Sequence, residues 1–475
     1  MFRKFFSSKN RYKACLVTVL FILSTFYSIN LNSEKTLSQD INLNQPNSFK
    51  IASETTVSEK VMQMEQRLKK EYEVYFERNL TNAEQNGDEI AQTLLKISQE
   101  SNIKPAVFWM IPEPEYLHLV FISPGKSPLV QDIDTLKRQA ITDAVKAFHN
   151  EITNPRNLYT NSYLTQAKTL YEWLIKPFEA NLKTEGIDTI LFCLGKGLRT
   201  LPIAALHDGK QFLVEKYSLS IIPAFNLIDS NYTPIKKARI LAMGASEFQE
   251  QAPLPAVPVE LSSIVNSNLI DSNSIENIST QMFPMGWPGK LFLNQNFTLD
   301  NLKTQIDSKA FNIIHLATHA EFLPGKPHNS YIQFWDTQLH LNEMKEISWN
   351  NPPAELLVLS ACQTAVGNQD VELGFAGLAL QAGVQSALAS LWYVSDIGTL
   401  ALMSEFYQQL KTAPTKAETL RQTQIQMIQG KVRLNGKLIL SGGEMPLPET
   451  LPALGETDFS HPFYWSGFTL ISSPW

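Results

Sequence analysis

Apolar positions along this chain follow two different periods, and the change from one to the other divides it. In "VSEKVMQMEQRLKKEYEVYFERNL" the apolar residues Val61, Met64, Leu68 and Tyr72 recur at helical spacing, and "DEIAQTLLKISQE" repeats the pattern. These two helices do not recur at a fixed period, so no repeat array is predicted. Next, "PAVFWMI-PEPE-YLHLVFIS" sets two apolar runs around a Pro-rich turn, the signature of a hairpin. Amphipathic helices are expected over "IDTLKRQAITDAVKAFHN" and "SYLTQAKTLYEWLIKPFEANL". "DTILFCL" reads as a core strand, "GKGLRTLPIAALHDG" as a loop, and "QFLVEKYSLSIIP" as extended.

A second series begins near residue 238. "KARILAMGAS", "GKLFLNQN", "FNIIHLA", "AELLVLSACQTAVG" and "VQSALASLWYV" read as strands. Helices are expected at "PAVPVELSSIVN", "TLDNLKTQID" with Thr298 as N-cap, "GFAGLALQAG" closed by Gly383, "DIGTLALMSEFYQQLK" and "TLRQTQIQMIQG". "NSYIQFWDTQLHLNEM" reads as a small hairpin. Near-continuous apolar strands alternating with helices predict an α/β fold whose mostly parallel sheet has helices on both faces.

The N-terminus differs from both series. "MFRKFFSSKNRYK" carries five basic residues and no acid, and residues 14–29 hold no charge. This matches a signal anchor, or a signal peptide removed on export, over 1–30. An anchor keeps the basic flank cytoplasmic and translocates the bulk of the chain. Residues 31–56 have the Asn, Ser, Thr and Gln content of a polar linker. The expected layout continues as a helical lead-in over 57–100, a first α/β half over 101–235 and a second half over 236–475.

Composition sets bounds. The 475 residues carry 44% hydrophobic and 18% charged side chains, enough for a sizeable core. With 40 Lys+Arg against 46 Asp+Glu and a net charge of -6, nothing points to nucleic acid as a partner. The three cysteines, Cys15, Cys193 and Cys362, are too scattered for a disulfide framework or a metal site. Cys193 lies in a core strand and reads as a buried structural thiol. No cofactor and no metal is implied.

The candidate chemistry sits where two apolar runs stop. "FNIIHLA" gives way to Thr318 and His319, and "LLVLSA" to Cys362. If these strands are parallel neighbours, both residues lie at the carboxyl-end rim, where α/β sheets bind ligands. An imidazole there can take the proton of a thiol and leave the nucleophilic thiolate. A lone His or Cys after a strand is more often structural, and His315, inside its run, reads as a core histidine.

"HLATHAEF", "LVLSACQTAVG" and "ALASLWYVSDIGTLALMSEFY" resemble the CHAT domain, a caspase-like and separase-like family of clan CD cysteine peptidases. "DTILFCLGKGLRTLPIAALHDGKQFLVEKYSLSIIP" and the closing "SHPFYWSGFTLI" are similar to further segments of that family, in the same order, so the resemblance spans about 85–475. It implies a caspase-like sheet whose first half is non-catalytic. It also implies His319 as base, Cys362 as nucleophile, and an endopeptidase reaction through an acyl-enzyme on a protein or peptide substrate.

The backbone N–H groups of Ala320 and Cys362 map to the oxyanion donors. The family usually carries Gly at the position of Ala320, so this chain departs there. "SLW" resembles the strand lining the first specificity pocket, which makes Trp392, Asp396 and Glu321 pocket candidates. Against that, Trp392 also reads as core and Asp396 as the cap of the helix at "IGTL". Asp370 and Glu372 read as a solvated loop or a cleft rim. Two rivals remain: a catalytically weak or inactive interaction module with a regulatory protein partner, and a thiol acyltransferase using the same dyad.

Overall fold

In the computed structural model the described residues are 56–80, 84–232, 235, 237–266, 286–347, 349, 353–364, 368–448, 451 and 455–475, with only the backbone described at 361–364. The expected anchor and linker therefore lie outside the described residues, apart from Thr56. No helix among the described residues is long and apolar enough to cross a membrane.

Helix α1, Val57–Tyr75, begins at Thr56, whose side chain accepts from the Glu59 N–H while the Glu59 carboxylate accepts from the Thr56 N–H. Its buried stripe includes Val61, Met64, Leu68 and Tyr72, as the spacing predicts. With α2, Gly87–Ser101, it covers Val107, Trp109 and Ile111 of strand β1, Pro105–Pro112. The alternate residues Ala106, Phe108 and Met110 enter the main core, with residues of α3, Arg138–Thr153, and α4, Leu164–Leu174. Burial on both faces is what an unbroken apolar strand requires.

β1 pairs antiparallel with β2, Leu117–Ile122, and β2 pairs antiparallel with β3, Leu129–Ile133. β3 was not expected from the sequence, because its residues are nearly all exposed and show no apolar alternation. After α5, Glu179–Glu185, comes β4, Thr189–Leu194, parallel to β1. The segment expected to be extended throughout "QFLVEKYSLSIIP" instead opens with a helical turn, α6, Leu213–Lys216. There the Glu215 carboxylate accepts from the Phe212 N–H at 2.6 Å, and only then does β5, Ser218–Ile222, begin.

The second series runs β6, Ile240–Gly244; α7, Val257–Ile264; β7, Val265–Asn266; β8, Trp287–Leu293; and α8, Leu299–Asp307, with Thr298 as its N-cap. Strand β9, Ile313–Phe322, is followed by the hairpin β10, Tyr331–Gln333, and β11, Gln338–His340. Then come β12, Leu356–Thr364; α9, Gln369–Ala376; α10, Leu378–Ala382; and β13, Ser386–Ser390. Helices α11, Asp396–Gln409, and α12, Lys416–Ile428, follow. A small antiparallel sheet is built of β14, Arg433–Leu434; β15, Leu438–Leu440; β16, Gly443–Met445; and β17, Thr457–Asp458. α13, Pro462–Trp465, leads into β18, Phe468–Ser472.

The main sheet is mixed and mostly parallel, in the order β3-β2-β1-β4-β5-β18-β13-β12-β9-β6-β8-β7. The expected boundary near 235 falls in the connection between β5 and β6, yet the two series share this one sheet. β18 joins them: it runs parallel to β5 through Ile471 and Ile221, and antiparallel to β13 from Ser386–Ser472 to Ser390–Phe468. The strand direction therefore reverses at β18/β13, while β13, β12, β9 and β6 are mutually parallel neighbours.

Candidate active site

β9 and β12 are parallel neighbours, as the placement of His319 and Cys362 requires. One expectation needs correcting: β9 does not stop before Thr318. It runs on to Phe322, because β12 holds one edge and β10 the other, through Tyr331–Glu321 and Ile332–Ala320. Between Leu359 and Ala361 the register shifts, from Leu359–Leu316 to Ala361–His319. β9 advances three residues while β12 advances two, which is a β-bulge at Ala317–Thr318. Such an insertion re-aims the side chains beyond it. Thr318 steadies it by donating its hydroxyl to the Gln333 carbonyl at 2.6 Å. Beyond the bulge, His319 and Glu321 share one face by strand alternation, and Ala320 and Phe322 are buried on the other.

Ala320 pairs with Cys362 in the register, one step past Ala361–His319. The Cys362 side chain lies outside the described residues. Ala320 has extended backbone with strands on both edges, so an alanine fits there without a positive φ. For its N–H to serve as an oxyanion donor, this end of the ladder must open.

The His319 ring is held from three directions. Its Nε2 lies 2.8 Å from the Ala252 carbonyl oxygen. A carbonyl only accepts, so Nε2 carries the hydrogen and the lone pair is left on Nδ1. Phe248 meets the ring edge-on with centroids 4.7 Å apart, and Tyr393 stacks on it at 6.3 Å. Both the carbonyl and Phe248 belong to the loop between β6 and α7, and no motif in the sequence singled that loop out.

His315, by contrast, is fully buried. Its Nε2 is 2.8 Å from Glu260 Oε1 and its Nδ1 is 3.1 Å from the Tyr407 hydroxyl. This is the satisfied core histidine the sequence suggested.

The pocket candidates have different partners. Trp392 is buried, donates its indole N–H to the Phe463 carbonyl at 2.9 Å and meets His149 edge-on. Asp396 is not the helix cap. Ser395 is, accepting from the Gly398 N–H, while Asp396 Oδ2 accepts from the Ala256 N–H at 2.6 Å. Burial pushes the Asp396 carboxyl up to about 6; the Ala256 bond opposes this and the Glu260 charge adds to it.

Glu321 lines an open cleft of about 900 Å³, together with Glu247, Glu250, Asp336, Tyr331 and Trp335. Burial and the Glu321 carboxylate push the Tyr331 hydroxyl up to about 12.

Of the acids after Cys362, Glu372 is buried and Asp370 half-buried. They lie on α9, where Asp370 accepts from the Gly325 N–H at 3.1 Å and the buried Glu372 accepts from the Gly197 N–H at 2.8 Å. Beside Glu372 the fully buried guanidinium of Arg199 pairs with Glu71 of α1 and stacks over Tyr72. A loop expected to be polar surface thus ties the lead-in helix and the first half to the helix that follows Cys362. Among the described residues no group of three or more His, Cys, Asp or Glu side chains is arranged to hold a metal ion.

The chain is similar to separase of Saccharomyces cerevisiae, solved in two separase–securin complexes. The identity is 10%, the TM-scores are 0.46 and 0.45, and the match covers 81% of this chain and 31% of those. This chain thus spans less than a third of the solved chains it matches. No curated protein matches it. The CHAT domain model matches residues 164–473, well over half of the sequence, and the chain belongs to the CHAT domain family.

Proposed function

We propose that this chain is a caspase-like cysteine endopeptidase in which His319 Nδ1 takes the proton of Cys362. The thiolate attacks a peptide carbonyl and the carbonyl π pair moves onto oxygen. Collapse of the adduct expels the amine, which takes the proton from His319. Water then hydrolyses the thioester and regenerates the thiol. The observation that carries the reading is that β9 and β12 are adjacent parallel strands, which brings positions 319 and 362 to the same end of the sheet; because 362 pairs with Ala320, on the face opposite His319, the end of β12 must turn for the thiol to reach the imidazole. The hydrogen bond from Nε2 to Ala252 supports it, since it leaves Nδ1 free to accept. Four carboxylates line the cleft beside His319, and that charge suits substrates with Arg or Lys near the scissile bond.

A diverse peptide library, incubated with the wild type and with Cys362→Ala, tests this. Cleavage by the first and none by the second is expected. No cleavage by either protein, with a Cys362 that resists alkylation, hands the chain to the second reading, an interaction module that keeps the fold. The pairing of β10 across Ala320 favours that rival, because it occupies the edge an oxyanion donor needs.

We further propose that residues 1–30 anchor the chain at a membrane. Fractionation of the full chain against one lacking 1–30 is the test, and equal solubility of the two excludes an anchor.

A further inference from the structure

Asp396 does not cap its own helix, the role its position in the sequence suggested. We propose that it is a positioning residue for His319: it pins the segment 246–256, and the Ala252 carbonyl within that segment orients the imidazole. The proposal deepens the peptidase reading and rests on it for its catalytic consequence.

The segment leaves the end of β6 and enters α7; Gln251 donates weakly to the Tyr331 hydroxyl at 3.4 Å in its middle, and tighter bonds hold its two ends. At its start, the Ser246 N–H donates to Asn294 Oδ1 at 2.8 Å. It then closes on itself, with the Leu254 N–H donating to the Ser246 carbonyl at 2.9 Å. At its end, the Ala256 N–H donates to Asp396 Oδ2 at 2.6 Å, a distance typical of a charge-assisted bond. Between these ties lie Phe248 and Ala252, which contact the His319 ring.

α7 starts with no side-chain cap of its own: Ala256 occupies the N-cap position and Pro258 sits in its first turn. The Asp396 carboxylate takes the place of that missing cap from another helix, at the end of the helix dipole that favours an anion. Tyr393, three residues before Asp396, stacks on the same imidazole. The turn that opens α11 therefore reaches His319 by two routes, one direct and one through the loop.

Asp396 is also where acid can act. The titratable groups bearing on it are Glu260 of α7 and Tyr393 of its own turn. A protonated carboxyl is a weaker acceptor than a carboxylate, so the pin loosens as pH falls through about 6, the position to which burial raises this group.

The experiment compares wild type, Asp396→Ala and Asp396→Asn by peptide turnover, by the pH dependence of Cys362 alkylation, by thermal melting and by hydrogen exchange over 246–256. In Asp396→Ala, kcat is expected to fall about 10- to 100-fold, the scale of a displaced catalytic group. KM should stay within about twofold, and exchange in 246–256 should rise in a protein that still melts cooperatively. Asp396→Asn keeps an acceptor oxygen. It should recover part of kcat and lose the acid limb near pH 6.

Unchanged exchange over 246–256 in Asp396→Ala overturns the proposal whether or not the chain cleaves peptides. A loss confined to substrates with Arg or Lys before the scissile bond, with Leu substrates unaffected, also overturns it and returns Asp396 to the specificity pocket. If His319→Ala and Cys362→Ala leave turnover unchanged, it is the peptidase reading that fails, while the exchange arm still decides the pin.

Discussion

The Nε2 of His319 stands 2.8 Å from the carbonyl oxygen of Ala252, on a loop 67 residues earlier in the chain. That carbonyl fixes which nitrogen of the ring is free. His319→Ala is expected to lower kcat on a cleaved peptide by at least about 100-fold, within the usual range for a general base. The ring is partly exposed and its contacts are peripheral, so the melting temperature should move little. A collapse in stability of the same size as the loss of activity would make His319 a structural residue.

The two cysteines of the folded body should differ sharply in reactivity. Cys193 is fully buried and donates its thiol to the Pro223 carbonyl at 3.4 Å, and burial pushes its pKa well up. Iodoacetamide at neutral pH followed by peptide mapping is expected to label Cys362 and leave Cys193 untouched. Labelling of Cys193 at a comparable rate, in protein that stays folded, contradicts the placement of that strand in the core.

Arg199 is fully buried with Glu71 and Glu372 around it. Removing the cation strands two carboxylates, so Arg199→Met is expected to cost about 3–5 kcal/mol in urea unfolding. The triple change Arg199→Met, Glu71→Gln and Glu372→Gln should recover much of that loss, since an all-neutral cluster carries no unpaired charge. A single mutant as stable as wild type contradicts the burial of this cluster.

Acid should destabilise the chain through two histidines. Burial lowers His149 and His461 to about 4 each, and the Nε2 atom of each is buried without a hydrogen-bond partner. Between about pH 4 and 6.5 the unfolded chain therefore binds more protons at these two sites. Their contribution is fully present above about 6.5 and is lost as pH falls towards 4. Asp396, raised to about 6, works the other way over part of that window. The clean measurement is a difference: His149→Leu should flatten the rise of unfolding free energy between pH 4 and 6.5. An unchanged slope contradicts the depressed value.

The alternation of apolar strands with helices made the sheet legible, because burial on both faces leaves runs such as "TILFCL" and "LLVLS" with no polar gap. β3 escaped because an edge strand facing solvent has no such run. The positions of His319 and Cys362 in neighbouring strands could be read from the residues that end two apolar stretches. The bulge at 317–318 could not, since it arises from how β9 registers against β12. Nor could the Ala252 carbonyl, a backbone group with no residue signature. Glu372 looked like surface because nothing local to "NQDVELG" reveals Arg199, which arrives from another part of the chain.

β18 closes the seam between the two series by pairing with β5, made some 250 residues earlier, as the hydroxyl of Ser220, donating to the carbonyl of Ser472, records. In synthesis from the N-terminus it is the last of the described strands to appear. Until residues 468–472 emerge, β5 and β13 both present open edges, and neither half can complete its sheet. Contacts of such sequence separation slow folding, because the loop-closure entropy must be lost before pairing returns anything. β12, which carries Cys362, lies beyond β13 from that seam. The fold thus carries its own delay: a nascent chain cannot assemble the His319–Cys362 rim against a finished sheet before residues 468–472 have been made.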